Sequence, residues 1–130
     1  INILDTRLYK SGLFKLLKKL KIKVYARSIF LQGLFFLKDH LIFKKFPDLD
    51  LPIKNLRDIA KKNKLNLSEL SMKWVYSLSE VNKVIVGIND SRQLNTNLSS
   101  LKKKLFKKTI NNALKINYTN PKVLNPQNWT

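Results

Sequence analysis

The chain has 130 residues, one domain's worth, and 44% hydrophobic content is ordinary for a globular core. It has no cysteine and a single histidine, His40, which excludes disulfides, thiolate metal sites and an all-histidine metal site. Twenty-six Lys and Arg against 8 Asp and Glu leave a net charge of +18, which would suit nucleic acid or an anionic membrane surface.

In chain order, residues 1–4 (INIL) read as a short apolar strand already under way at residue 1. Ser11 can cap a helix whose inner face is Leu13, Leu16, Leu17 and Leu20, with Lys15, Lys18 and Lys19 outside. Val24, Tyr25 and Ala26 make the next strand, and strand–helix–strand with short joins implies parallel pairing. The apolar run at 28–37, SIFLQGLFFL, is shorter than the roughly 20 residues that span a bilayer. It opens a long aromatic excursion with a short helix near 39–46. Pro52 suits the start of a helix reaching about Lys64, buried through Leu56, Ile59 and Ala60. Asn66 with Glu69 three residues later forms a capping box for a helix with Leu67, Leu70, Trp74 and Leu78 inside.

Val84, Ile85 and Val86 then read as a strand covered on both faces. Asp90, with Gln93, caps a final helix whose seam is Leu94, Leu98, Leu101 and Leu105. Residues 117–130 carry turn chemistry and no period, an irregular tail. The lysines, 22 of the 26 cations, fall on outer helix faces rather than in one block, so the charge reads as a solvated surface. The order is β-α-β-loop-α-α-β-α. Three parallel strands would leave two open edges, which intact domains avoid, so a piece of something larger is expected. A soluble, cytoplasmic protein without signal peptide or membrane partner is the accompanying expectation.

Two strand exits have the layout of an anion site, where close backbone approach or a helix N-terminus offers free amides. One is ARSIFLQG, with Ser28, Gln32 and Gly33. The other is VGINDSRQLNTN, where Gly87 permits close approach and residues 89–93 crown the helix. The same residues also serve as turns and caps, and spacing alone leaves both readings open. No reaction centre and no metal site is evident. Asp5 and Arg7 read as a structural pair.

Three stretches in order resemble the carboxyl-terminal part of the aldo/keto reductase family. NILD at 2–5 is similar to the end of the sixth barrel strand, and VYARSIFLQGLF at 24–35 to the seventh strand and its loop. LSMKWVYSLSEVNKVIVGINDSRQLNTNL at 70–98 is similar to the last helices and the eighth strand, with Val86 where proline is usual.

The resemblance implies an α/β fold that is part of a (β/α)8 TIM barrel, its last three strands and their helices. It implies an NAD(P)H-dependent oxidoreductase acting on a small-molecule carbonyl, with NADP(H) ahead of NAD(H). By position, Arg27 replaces the aromatic residue that stacks on the nicotinamide, and Ser28, Phe30, Gln32 and Gly33 line the pyrophosphate. Gly87, Ile88 and Asn89 meet the adenosine phosphate, and Gln93 and Asn97 reach the adenine. Gly87 and Gln93 stand where many members use Lys and Arg against a 2′-phosphate, with Arg92 the cation left nearby. The family's catalytic Asp, Tyr, Lys and His belong to the first four strands, so the partner implied is the amino-terminal part of the barrel. The other reading, a small basic α/β module binding nucleic acid, requires Lys and Arg gathered on one face with aromatics among them.

Overall fold

Residues 24–26 and 82–85 meet as a short parallel ladder at the centre of the chain. In the computed structural model, which describes residues 1–102 and 105–129, the strands are β1 (Tyr25–Ala26) and β2 (Lys83–Val84), with Tyr25 opposite Lys83 and Ala26 opposite Val84. The ladder is extended by Asn82, whose amide donates to the Val24 carbonyl (2.9 Å) and whose Oδ1 accepts from the Val24 amide (2.7 Å). The expected strand at 1–4 does not form. Asn2 Oδ1 accepts from the amides of Leu4 (3.0 Å) and Asp5 (2.9 Å), and this local bond bends the chain out of the extended path. The segment still lies beside β1: the Ile1 nitrogen donates to the Arg27 carbonyl and Asn2 Nδ2 to that of Ser28. The described chain is thus α/β with two short parallel strands and mostly helices, rather than three strands.

Asp5 and Arg7 form a two-bond ion pair, 2.8 and 3.0 Å, at the start of α1 (Arg7–Lys10). In α2 (Leu13–Lys19) the buried residue is Phe14, while Leu13, Leu16 and Leu20 are 37%, 51% and 58% exposed. Three of the four residues of the expected inner stripe are therefore outside, and of the four only Leu17 packs against the core. Helix α3 (Asp39–Lys45) falls where expected. Helix α4 (Asp50–Lys62) begins two residues before Pro52 and buries Ile53, Leu56 and Ala60.

Helix α5 (Leu67–Tyr76) is the centre of the packing. Its capping box is complete: Asn66 Oδ1 accepts from the Glu69 amide (2.9 Å) and Glu69 Oε2 from the Asn66 amide (2.8 Å). Leu67, Leu70, Met72, Trp74 and Val75 are buried, as are Ser68, Ser71 and Lys73. A helix buried nearly all round must satisfy its polar groups internally. Lys73 does so by donating from Nζ to the Ser100 carbonyl at the far end of α6 (Ser91–Leu101).

The third strand and last helix differ from expectation. Ile85 is 55% exposed instead of covered on both faces, and Leu98 in the α6 seam is equally open. Leu105 lies beyond the end of α6, and a separate helix, α7 (Lys107–Leu114), follows.

The tail is docked rather than irregular. It forms α8 (Pro121–Leu124) and a 3-10 turn (Pro126–Asn128), with Tyr118, Val123 and Leu124 buried. Tyr118 donates from its hydroxyl to Asp48 Oδ2 (2.5 Å), and Asn120 Nδ2 donates to the same oxygen (2.7 Å). Trp129 packs on Phe46 at 5.0 Å, with Lys45 Nζ over both rings.

This latch has a two-sided pH dependence. Burial alone would raise the Asp48 carboxyl, but the bonds from Tyr118 and Asn120 outweigh it and hold it below its ordinary 3.8. Burial, then the Asp48 carboxylate, pushes the Tyr118 hydroxyl well above its ordinary 10.0. A depressed acid stabilises above its unfolded value and is lost as pH falls through the folded one; a raised tyrosine stabilises below its unfolded value and is lost as pH rises through the folded one. Docking is expected to be flat between these limits and to loosen below about 4 and above about 10, read by proteolysis of the tail. Tyr118→Phe should remove the alkaline limb and cost about 1 kcal/mol.

Candidate functional site

The chain leaves β1 through a loop wound against its own preferences. Ser28, Leu31 and Gln32 have φ of 63°, 46° and 52°, followed by Gly33 at 82°. Only the glycine adopts this left-handed region freely; each of the others costs about 1–2 kcal/mol. Burial holds them there, since Ile29, Leu31, Leu34 and Phe35 are each at most 2% exposed. Ser71 Oγ donates to the Ile29 carbonyl (2.6 Å) and accepts from the Ile3 amide (3.2 Å), tying the loop to α5 and to the first residues. Among the described residues, no backbone carbonyl accepts from the amides of Gln32 and Gly33. The loop therefore presents free donors on a rigid support.

The second exit follows β2. Asp90 Oδ1 accepts from the Gln93 amide (2.7 Å), as a cap should. Gln93 Oε1 accepts from the Asn89 amide (2.8 Å), one residue earlier than in a standard box. The amides of Ser91 and Arg92 are left as orphan donors of the first helical turn. A Cβ added at Gly87 would meet nothing within 4 Å, so the backbone there is open to a ligand.

These two exits form the walls of one cleft of about 490 Å³. Arg27, Ser28, Phe30, Gln32 and Gly33 line one wall and Gly87, Asn89 and Gln93 the other. A second cleft of about 450 Å³ adjoins it, sharing Phe36 and Gln93. Asn97 lines this second cleft, and its Nδ2 is buried with no hydrogen-bond partner among the described residues. Ile88 lines neither cleft and is 43% exposed.

Sequence reasoning missed Phe36, Arg57, Ser68 and Glu69, which line the second cleft from three other elements. Glu69 was legible as a cap but not as a cleft wall. Arg57 is held by Asp39 (2.6 Å) and the Leu37 carbonyl (2.7 Å), a long-range arrangement with no local signal. No Tyr, Lys or His lines either cleft among the described residues.

The model for the Aldo/keto reductase family matches residues 1–117. The chain belongs to the aldo/keto reductase family. No curated protein matches it. An aldo/keto reductase is an oxidoreductase that uses NAD(P)H on a small-molecule carbonyl, and the family implies a TIM barrel. The two clefts lie within the matched region of this aldo/keto reductase chain, and the docked tail from Tyr118 onward lies outside it. No described helix is long and apolar enough to cross a membrane.

Proposed function

We propose that the chain is the cofactor-facing carboxyl-terminal segment, about strands 6–8, of an NAD(P)H-dependent aldo/keto reductase. The cofactor runs through the two adjoining clefts, with its pyrophosphate at the first and its adenosine at the second. The observation that carries this reading is the meeting of both strand exits in one cleft, with amides that have no acceptor among the described residues at Gln32 and Gly33 on one wall and at Gly87 on the other. Phosphate oxygens take such amides well, and the N-terminal dipole of α6 favours their charge. The buried, unpartnered Asn97 Nδ2 matches a purine nitrogen as acceptor.

When bound, the cofactor supplies the hydride. The residues of this chain bind and orient it, and Phe30 and Phe36, packed edge to face at 4.9 Å, keep one side of the first cleft apolar. The proton donor belongs to the rest of the barrel, so the segment alone is inactive. The outward leucines of α2 and the open Tyr25 and Ile85 are the surfaces that such a completing part would cover.

Asn97→Ala tests the placement. Losing one neutral hydrogen bond costs about 0.5–1.5 kcal/mol, so nucleotide affinity should fall roughly 2- to 13-fold. Stability should hold or rise slightly, because the deleted amide has no protein partner among the described residues. Unchanged affinity in a fluorescence titration would mean the adenosine lies elsewhere.

A further inference from the structure

Residues 8–24, LYKSGLFKLLKKLKIKV, carry six lysines and no Asp or Glu, and they bring an apolar row to the surface. Leu13, Leu16 and Leu20 stand three and four residues apart along α2, so they form a single ridge on its outer side. Lys15 and Lys19, both exposed and four residues apart, run beside that ridge. None of the ion pairs among the described residues includes a lysine of this segment. Lys10 and Lys18 donate to neutral oxygens, Asn117 Oδ1 (3.2 Å) and Ser79 Oγ (3.0 Å).

The face is thus apolar and positive, with no counter-charge of its own. Helices pack by laying such a ridge into the groove of a second helix, with axes about 8–10 Å apart. At that separation the lysines meet the flanks of the second helix, within the roughly 8 Å over which charge is felt at physiological salt.

From this arrangement we infer that α2 docks an acidic amphipathic helix, whose apolar stripe covers Leu13, Leu16 and Leu20 and whose Asp or Glu flanks face Lys15 and Lys19. The inference rests on the completing part proposed above and gives that part its chemistry at this surface. Other occupants fit the face less well. A second copy would bring the same lysines and a further net charge of +18 against it. Single-stranded nucleic acid stacks on open aromatics, and a helix lying in a membrane surface sets Trp or Phe beside its leucines. Here Phe14 is buried and Tyr9 packs edge to face on Trp74 at 5.7 Å.

The test is a selection on the whole chain at about 0.15 M salt, where long-range attraction to the cationic surface is screened. The probe is a displayed library of amphipathic helices with a fixed leucine row, in which the flanking positions vary among Glu, Ser and Lys. Enriched clones are expected to carry Glu flanks and, as free peptides, to shift the amides of α2 in NMR spectra while leaving α4 and α7 unmoved. Leu16→Ser removes an exposed apolar contact without touching the charge, and affinity should fall about tenfold. Lys15→Glu with Lys19→Glu should weaken the Glu-flanked peptide about tenfold and strengthen its Lys-flanked counterpart. All three positions are exposed, so the fold should survive, which circular dichroism checks.

Enrichment of Ser or Lys flanks, or no enrichment, overturns the inference. A Leu16→Ser variant that binds as before also overturns it, since charge alone would then hold the peptide. Binding of phosphatidylserine vesicles that needs Leu16 and exceeds that of the Glu-flanked peptide overturns it too and assigns the face to lipid. Saturable NADH shifts at the clefts without docking on α2 overturn the inference and leave the cofactor placement standing. Docking on α2 without NADH shifts removes the placement and leaves the docking face.

Discussion

Trp74→Ala is expected to destabilise the chain by about 3–5 kcal/mol, the usual cost of deleting a buried tryptophan. Trp74 is fully buried in α5 and meets Tyr9 edge to face at 5.7 Å, joining the central helix to the end of α1. Total stability of a domain this size is about 5–15 kcal/mol, so the variant should be partly unfolded at low urea. An unfolding free energy from urea melting within about 1 kcal/mol of that of the unaltered chain would mean that α5 is not the centre of the fold.

Ser71→Ala should have the second largest effect and should reach the clefts. One hydroxyl serves two buried backbone groups, the Ile3 amide at 3.2 Å and the Ile29 carbonyl at 2.6 Å. Removing it leaves both without that partner, and each unsatisfied group costs about 1–3 kcal/mol; relaxation brings the sum to about 2–4 kcal/mol. The loss falls on the loop that holds Ser28, Leu31 and Gln32 at positive φ, so that loop should relax first. Hydrogen exchange at residues 28–35 should rise more than in α4, and nucleotide affinity should fall with it. Uniform exchange across the chain would show that the bridge does not hold the loop.

What was legible in the sequence was local. The capping box of α5 depends on Asn66 and Glu69 alone, and it formed as read. The same reading of Asp90 and Gln93 found the cap, but Gln93 reaches Asn89 rather than Asp90, a shift decided by the turn rather than the helix. The strand at 1–4 failed for a comparable reason: INIL has the right apolar residues, but the Asn2 side chain competes for the backbone. The leucines of α2 show the limit of periodicity, since a stripe says which residues share a face and not whether anything covers it.

The tail illustrates the opposite error. NYTNPKVLNPQNWT has no period, yet Tyr118, Val123, Leu124 and Trp129 find partners on residues far back in the chain. Contacts of that range leave no local pattern. At the clefts, the walls that follow a strand were readable from Gly, Ser, Asn and Gln at the joins. The walls supplied by Arg57, Ser68 and Glu69 were not, because only the packing of α4 and α5 beside α6 brings them there.

The central claim is that the two strand exits hold a dinucleotide. Amide-resolved NMR of the chain during titration with NADH tests it most directly. The account predicts saturable shifts at the amides of Gln32, Gly33, Ser91 and Arg92 and at the Asn97 side chain, with little change on α2 or α7. Shifts spread over the lysine-bearing helix faces, or none that saturate, would contradict it.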